Sequence, residues 1–277
     1  SLLAELTGAE KVEAAYALAE IAERELSSSE RAESALRVAL QVGEREAESR
    51  ERLLALYERT GAFGQLAQLL AEESERATDT AQKVAFLRRG AELYRDKLSD
   101  AGNAAALLER AAKLVPDDRS VLIPLSELYL SSGREVDAIP TLQKVVASFG
   151  GRRSKELAVY HRLLARAYRH GGDVDKALVE LEAAYKVDLT NVAVLADLGI
   201  LAYEQGDLER AQKTFRGLLL QKLDRDAPIS KADVYFFLGE ISRQQGDKPK
   251  AISMLERALA EQPSHERARA LLTQLKA

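Results

Sequence analysis

The chain has 277 residues, of which 46% are hydrophobic and 30% charged, a balance that suits a folded protein and excludes wholesale disorder. Its net charge of −4 gives no electrostatic basis for a dedicated nucleic-acid binder, and the absence of cysteine removes disulfides, thiolate nucleophiles and cysteine metal sites. No apolar run approaches the roughly 18 residues that a membrane helix requires, so no membrane insertion is expected.

With only six prolines and sixteen glycines, and Ala, Leu, Glu and Arg dominant, the composition is that of an all-helical protein. Ser1–Leu6 (SLLAEL) is too short for a hairpin and reads as the tail of an earlier helix. Apolar and small residues then recur in paired sets. The first set holds Leu18, Ala19, Ala22, Ala32, Leu36 and Ala39, and the second Leu53, Leu54, Tyr57, Gly61, Leu66 and Leu70. The third holds Leu87, Ala91, Tyr94, Ala104, Leu108, Ala111 and Pro116. From there the register tightens. Leu125, Tyr129, Gly133, Ala138 and Leu142 are followed at matching offsets by Leu164, Tyr168, Gly172, Ala177 and Leu181. Leu198, Gly199, Gly206, Ala211 and Phe215 come next, then Leu238, Gly239, Gly246, Ala251 and Leu255. The copies begin near 12, 47, 84, 119, 158, 192 and 232. Each reads as two amphipathic helices with one apolar stripe apiece. Extra residues fall near 76–82, 148–155 and 221–230, where longer helices or loops are expected.

Small residues at Ala165, Gly199 and Gly239 predict close helix approach, and Gly133, Gly172, Gly206 and Gly246 predict the turns. Ser230 and Asp233 have the spacing of a capping box. Glu73 stands where a small residue belongs, which predicts a displaced helix in the second copy. Pro124 and Pro140 lie inside predicted helices and should bend them, with a change of curvature at mid-array as the sharper consequence. Residues 264–277 read as a capping helix with Ala268, Leu271, Leu272 and Leu275 on one face. From this the C-terminus reads as natural, and the chain as the C-terminal part of a longer protein.

This spacing resembles the tetratricopeptide repeat family, although the Trp of that pattern is missing throughout. The resemblance implies an all-α fold, a single right-handed superhelical α-solenoid of about seven helix-turn-helix repeats over 1–277 with a C-terminal capping helix. Stability would come from stacking neighbours, because one hairpin cannot bury its stripe.

No catalytic or metal constellation stands out. His161, His170 and His265 lack ligand or triad spacing, the double glycines at 150–151 and 171–172 read as turns, and no enzyme activity or cofactor is expected. The family's first helices line a groove, and matched positions give an acidic end at Glu13, Tyr16, Glu20, Glu23, Glu48, Glu51 and Glu58, with Arg24 and Arg59 among them. Further along come Ile123, Glu127 and Leu130, then Arg162, Arg166, Arg169 and His170, then Ala196, Ile200 and Tyr203, then Phe236, Glu240 and Arg243. Arginines at i, i+4 and i+7 repel one another. Either Glu127 or Glu204 pairs with them between repeats, or they anchor a carboxylate-rich segment. The partner-binding set is therefore Arg162, Arg166, Arg169, His170, Ile123, Leu130, Ile200, Tyr203, Phe236 and Arg243. A chaperone EEVD tail is not expected, because no Asn occupies the clamp position.

The resemblance implies a protein–protein interaction scaffold, monomeric by default, that binds an acidic and apolar peptide or protein segment. The excess of arginine over lysine and the looseness of the repeats resemble large bacterial arrays of secretion, pilus, polarity and motility machines. Some of those bind small Ras-like GTPases. The alternative is a peptide-sensing regulatory domain controlling an attached DNA-binding or enzymatic module. The compartment is expected to be cytoplasmic, or periplasmic if a signal preceded Ser1.

Overall fold

The structure is a computed structural model that describes residues 2–224 and 226–277. Ser1 and Arg225 lie outside it, and with them part of the expected helix tail at 1–6 and of the insertion at 221–230. Leu2–Ala4 form a short 3-10 turn.

The described residues are helical, with no strand among them. In chain order the helices are α1 Gly8–Arg24, α2 Ser29–Val42, α3 Glu46–Thr60, α4 Phe63–Arg76, α5 Thr80–Asp96, α6 Ala101–Leu114, α7 Arg119–Ser131 and α8 Glu135–Ala147. They continue with α9 Lys155–His170, α10 Val174–Val187, α11 Val192–Glu204, α12 Leu208–Leu218, α13 Lys231–Gln244, α14 Lys248–Glu261 and α15 Glu266–Lys276. The chain forms two compact units, Ser1–Leu128 and Tyr129–Ala277, divided inside α7 four residues beyond Pro124. Pro124 and Pro140 sit within helices that continue past them.

In the first unit α1 packs on α2, α2 on α3, and α5 on α4 and α6. One core joins Val12, Tyr16 and Ala19 of α1, Leu36 of α2, Leu53 and Leu56 of α3, and Leu66 and Leu70 of α4. The misfit expected at Glu73 is visible here. Its carboxylate accepts a 2.9 Å hydrogen bond from Arg50 of α3, and α4 packs more extensively on α5 than on α3. Two long charged side chains hold α3 and α4 apart where small residues would let them close.

In the second unit consecutive helices from α8 to α15 each pack on the next. A core around Leu195, Phe215, Leu218, Val234, Leu238 and Ile241 joins α11, α12 and α13. Gly199 makes the closest approach. A Cβ there would lie 2.8 Å from Cε1 of Phe215. The turn glycines Gly206 and Gly246 adopt φ of +76° and +79°, which side chains resist. Ser27 and Ser99 hold the same left-handed region without glycine, at φ 47° and 52°.

Helix starts are chemically marked. Asp100, Ser154, Asp173, Asn191, Asp207 and Asp247 each accept a backbone N–H of the first turn. At α13 the expected capping box is complete, with Ser230 and Asp233 exchanging side-chain and backbone bonds. His265 caps α15 through Nδ1, which accepts from the Ala268 N–H at 3.1 Å, while Nε2 faces Asp233 Oδ1 at 3.2 Å. An acceptor Nδ1 requires the tautomer that carries its proton on Nε2.

Ser242 is fully buried in α13 and its hydroxyl has no partner among the described residues. Leaving a buried hydroxyl unpaired costs on the order of 1–3 kcal/mol. Ser242→Ala therefore keeps or raises the thermal midpoint, by up to about 1 kcal/mol in stability, and a loss of more than that would mean the hydroxyl is bonded after all.

Candidate functional site

The first helices of successive hairpins in the second unit are α9, α11 and α13, and their polar faces are linked side chain to side chain. Arg162 Nε of α9 donates to Asp197 Oδ2 of α11 at 2.6 Å. At the penultimate residue of α9, Arg169 Nη2 donates to both oxygens of Glu204, at 2.7 and 2.8 Å. Between α11 and α13, the Tyr203 hydroxyl donates to Glu240 Oε2 at 3.0 Å, receives Gln244 Nε2 at 3.0 Å, and Arg243 also reaches Glu240. Burial and then the Glu240 carboxylate raise the Tyr203 phenol above its ordinary pKa.

The three arginines of α9 thus differ in state. Two are engaged by acids of the neighbouring repeat. Arg166, between them, is exposed and has no ion pair among the described residues. His170 ends α9 with Nε2 3.6 Å from Glu135 Oε2 of α8. Leu130 and Ile200 are half-buried, and Arg243 is exposed.

Phe236 does not join this surface. It is 4% exposed because α15 covers it, with Arg267 4.3 Å from its ring centroid and His265 stacked at 5.3 Å. Position counting placed it in the groove, but the chain's last helix occupies that side. Ile123 belongs to the first unit and is not part of the α9–α13 face. Val159 was missed. It occupies the second position of its repeat, three residues before Arg162, and is 46% exposed. The same position rule that selected Arg162 could have found it.

The expected acidic end in the first unit is neutralised except at Glu51, which is exposed and has no ion pair among the described residues. Arg45 pairs with Glu13 and Glu48, Arg52 with Glu20 and Glu48, Arg59 with Glu23, and Arg89 with Glu58. Tyr16 is buried, its hydroxyl 2.8 Å from Ser49 Oγ and the Arg52 guanidinium 4.2 Å from its ring centroid. The remaining histidine, His161, joins α9 to α10 through Glu180 at 2.7 Å. Among the described residues no group of three His, Cys, Asp or Glu side chains could hold a metal ion, and no helix is long and apolar enough to cross a membrane.

Helical hairpins stacked in sequence, with their first helices cross-linked by polar pairs, define a helical-repeat solenoid class. The tetratricopeptide repeat family model matches residues 93–153 and 196–266. Those two stretches, just under half of the chain, are tetratricopeptide-repeat sequence. The crystal structure of YrrB, described as a TPR protein with an unusual peptide-binding site, aligns with a TM-score of 0.56 at 17% identity, over 74% of this chain and 96% of that one. A chain in the structure of Naa15/Naa10 bound to HypK-THB aligns with a TM-score of 0.62 at 16% identity, over 96% of this chain but 39% of that one. Pseudomonas aeruginosa pilF aligns with a TM-score of 0.50 at 13% identity, over 82% and 96%. No curated protein matches. At these identities the likeness is one of fold.

Proposed function

We propose that the chain is a non-enzymatic protein-binding scaffold, and that its second unit docks an acidic, partly apolar segment of a partner along α9 and α11. The observation that carries this is the unequal state of the three arginines. Asp197 and Glu204 lock Arg162 and Arg169, which holds both guanidinium groups in place, while Arg166 stands exposed between them without a carboxylate. A guanidinium fork binds a carboxylate bidentately and is among the strongest polar anchors at interfaces. Val159 and Ile200 supply apolar surface on the same two helices, and Leu130 supplies more at the end of α7. Recruitment of the segment's owner to a bacterial assembly is the finer form of the proposal.

Selection of a random-peptide display library on the purified chain tests this reading. Enriched sequences should combine Asp or Glu with apolar residues. Arg166→Glu should weaken their binding about tenfold or more, consistent with loss of roughly 1.5–3 kcal/mol for a charge-assisted bond. Binding should also weaken as salt rises, because exposed charge pairs are screened. Unchanged affinity in Arg166→Glu, with an unchanged melting curve, would remove α9 from the interface.

A further inference from the structure

In the first unit a concavity of about 250 Å³ lies between α5 and α7, with Ala91 and Leu108 in its lining and Arg88, Glu92 and Ser120 as its polar groups. Three features set its chemistry. Arg88 is half-buried and has no ion pair or hydrogen bond among the described residues. Arg95, which also lines the cleft, is drawn to its chain neighbour, Nε and Nη2 donating to the two oxygens of Asp96 at 2.6 and 2.9 Å. Glu92, one turn beyond Arg88 on α5, offers a carboxylate.

The third feature is Pro124. A helical residue at 124 would normally donate its N–H to the carbonyl of Ser120, and proline has none to give. The Ser120 carbonyl is left short of its helical bond in a residue that lines the cleft. The polar equipment is therefore the Arg88 guanidinium as donor, the Glu92 carboxylate and the Ser120 carbonyl as acceptors, and the Ser120 hydroxyl, which can serve as either.

We infer that this cleft binds the primary carboxamide side chain of an asparagine or glutamine in a partner segment. A carboxamide carries one acceptor oxygen and two N–H donors, the complement of that set. Its oxygen takes the Arg88 guanidinium, and its two N–H groups go to Glu92 and Ser120. A carboxylate satisfies Arg88 equally well but is repelled by the Glu92 carboxylate and offers no donor to the Ser120 carbonyl, and an ammonium is repelled by Arg88. The side chain's methylene and its apolar neighbours rest on Ala91 and Leu108. This site stands independently of the α9 face, which prefers acids.

The test uses the full chain and pentapeptides acetylated at one end and N-methylamidated at the other, so that no terminal carboxamide competes. The central residue is Gln, Asn, Glu, Asp or Ala, and binding is read by NMR shifts of backbone amides and of arginine Nε–H. The Gln or Asn peptide should shift residues of 88–95 and 120–128 and bind about tenfold tighter than its acidic counterpart. Arg88→Gln should abolish this preference and Arg166→Glu should leave it intact. Pro124→Ala, which restores the donor to Ser120 and favours the helix, should weaken carboxamide binding about three- to tenfold while the chain stays folded. Equal binding of Gln and Glu peptides, no shifts in α5 and α7, or indifference to Pro124→Ala would each overturn the assignment. Loss of the α9 site alone would leave every one of these readouts unchanged.

Discussion

Phe215→Ala lowers the stability of the second unit by about 3–5 kcal/mol, the usual range for emptying a buried aromatic site. Phe215 is fully buried, stacked on Phe237 at a centroid distance of 4.9 Å and an interplanar angle of 6°, and its edge fills the notch over Gly199. The notch cannot collapse easily, because α11, α12 and α13 are all anchored around the same cluster. The converse change tests the fit from the other side. Gly199→Ala gains helix propensity but places a methyl 2.8 Å from Cε1 of a ring that cannot retreat, so it costs about 1–3 kcal/mol. In a Phe215→Leu background the same methyl meets a smaller side chain, and the cost should fall by more than about 1 kcal/mol. Urea unfolding with amide exchange of α11–α13 reads the result. A loss below about 1.5 kcal/mol for Phe215→Ala would show that this cluster does not govern the unit.

That pairing was legible in the sequence, because a small residue on one helix and a large apolar one at a constant offset on the next recur as Ala165 and Leu181, Gly199 and Phe215, and Gly239 and Leu255. The turn glycines, the Ser230–Asp233 box and the tension at Glu73 were legible for the same reason: each is a local rule acting over a few residues. The pairing of charges was legible only in part, since Glu204 was a named candidate and pairs with Arg169, while Asp197 was not named. Arg162 meets Asp197, and Arg169 meets Glu204, across 35 residues, a separation set by how one hairpin lies on the next and not by any helical period. The arginine stripe and its acids were both visible in the sequence, yet only packing decides that Arg166 is the one left over. Phe236 failed for a related reason. A position rule assumes an open groove beside every first helix, whereas α15 brings Arg267 and His265 onto this ring. The left-handed turns at Ser27 and Ser99 carry no glycine to announce them.

Arg50 and Glu73 give the second large effect. The Arg50 side chain is only 10% exposed, and Nη1 donates to Glu73 at 2.9 Å while Nη2 donates to Glu46 at 3.1 Å. Glu72 lies 3.6 Å from Arg50 Nη1 and Arg76 also reaches Glu46, so two cations and three acids form one network between α3 and α4. Removing one member of a buried pair strands the other charge, and Arg50→Met should therefore cost about 2–3 kcal/mol. That is the low side of the usual 3–5, since Glu46 is partly solvated and keeps Arg76. Replacing both groups is a different experiment. Arg50→Met with Glu73→Leu removes two desolvation penalties at once and restores apolar contact at the position where small or apolar residues sit in the other repeats. The double variant should lie within about 1 kcal/mol of the parent or above it. It should also draw α4 toward α3, read as slower amide exchange along Leu66–Leu70 than in either single variant. If the double variant is as unstable as the two single changes added together, the network is a net contributor to stability, and Glu73 is better described as an anchor than as a misfit.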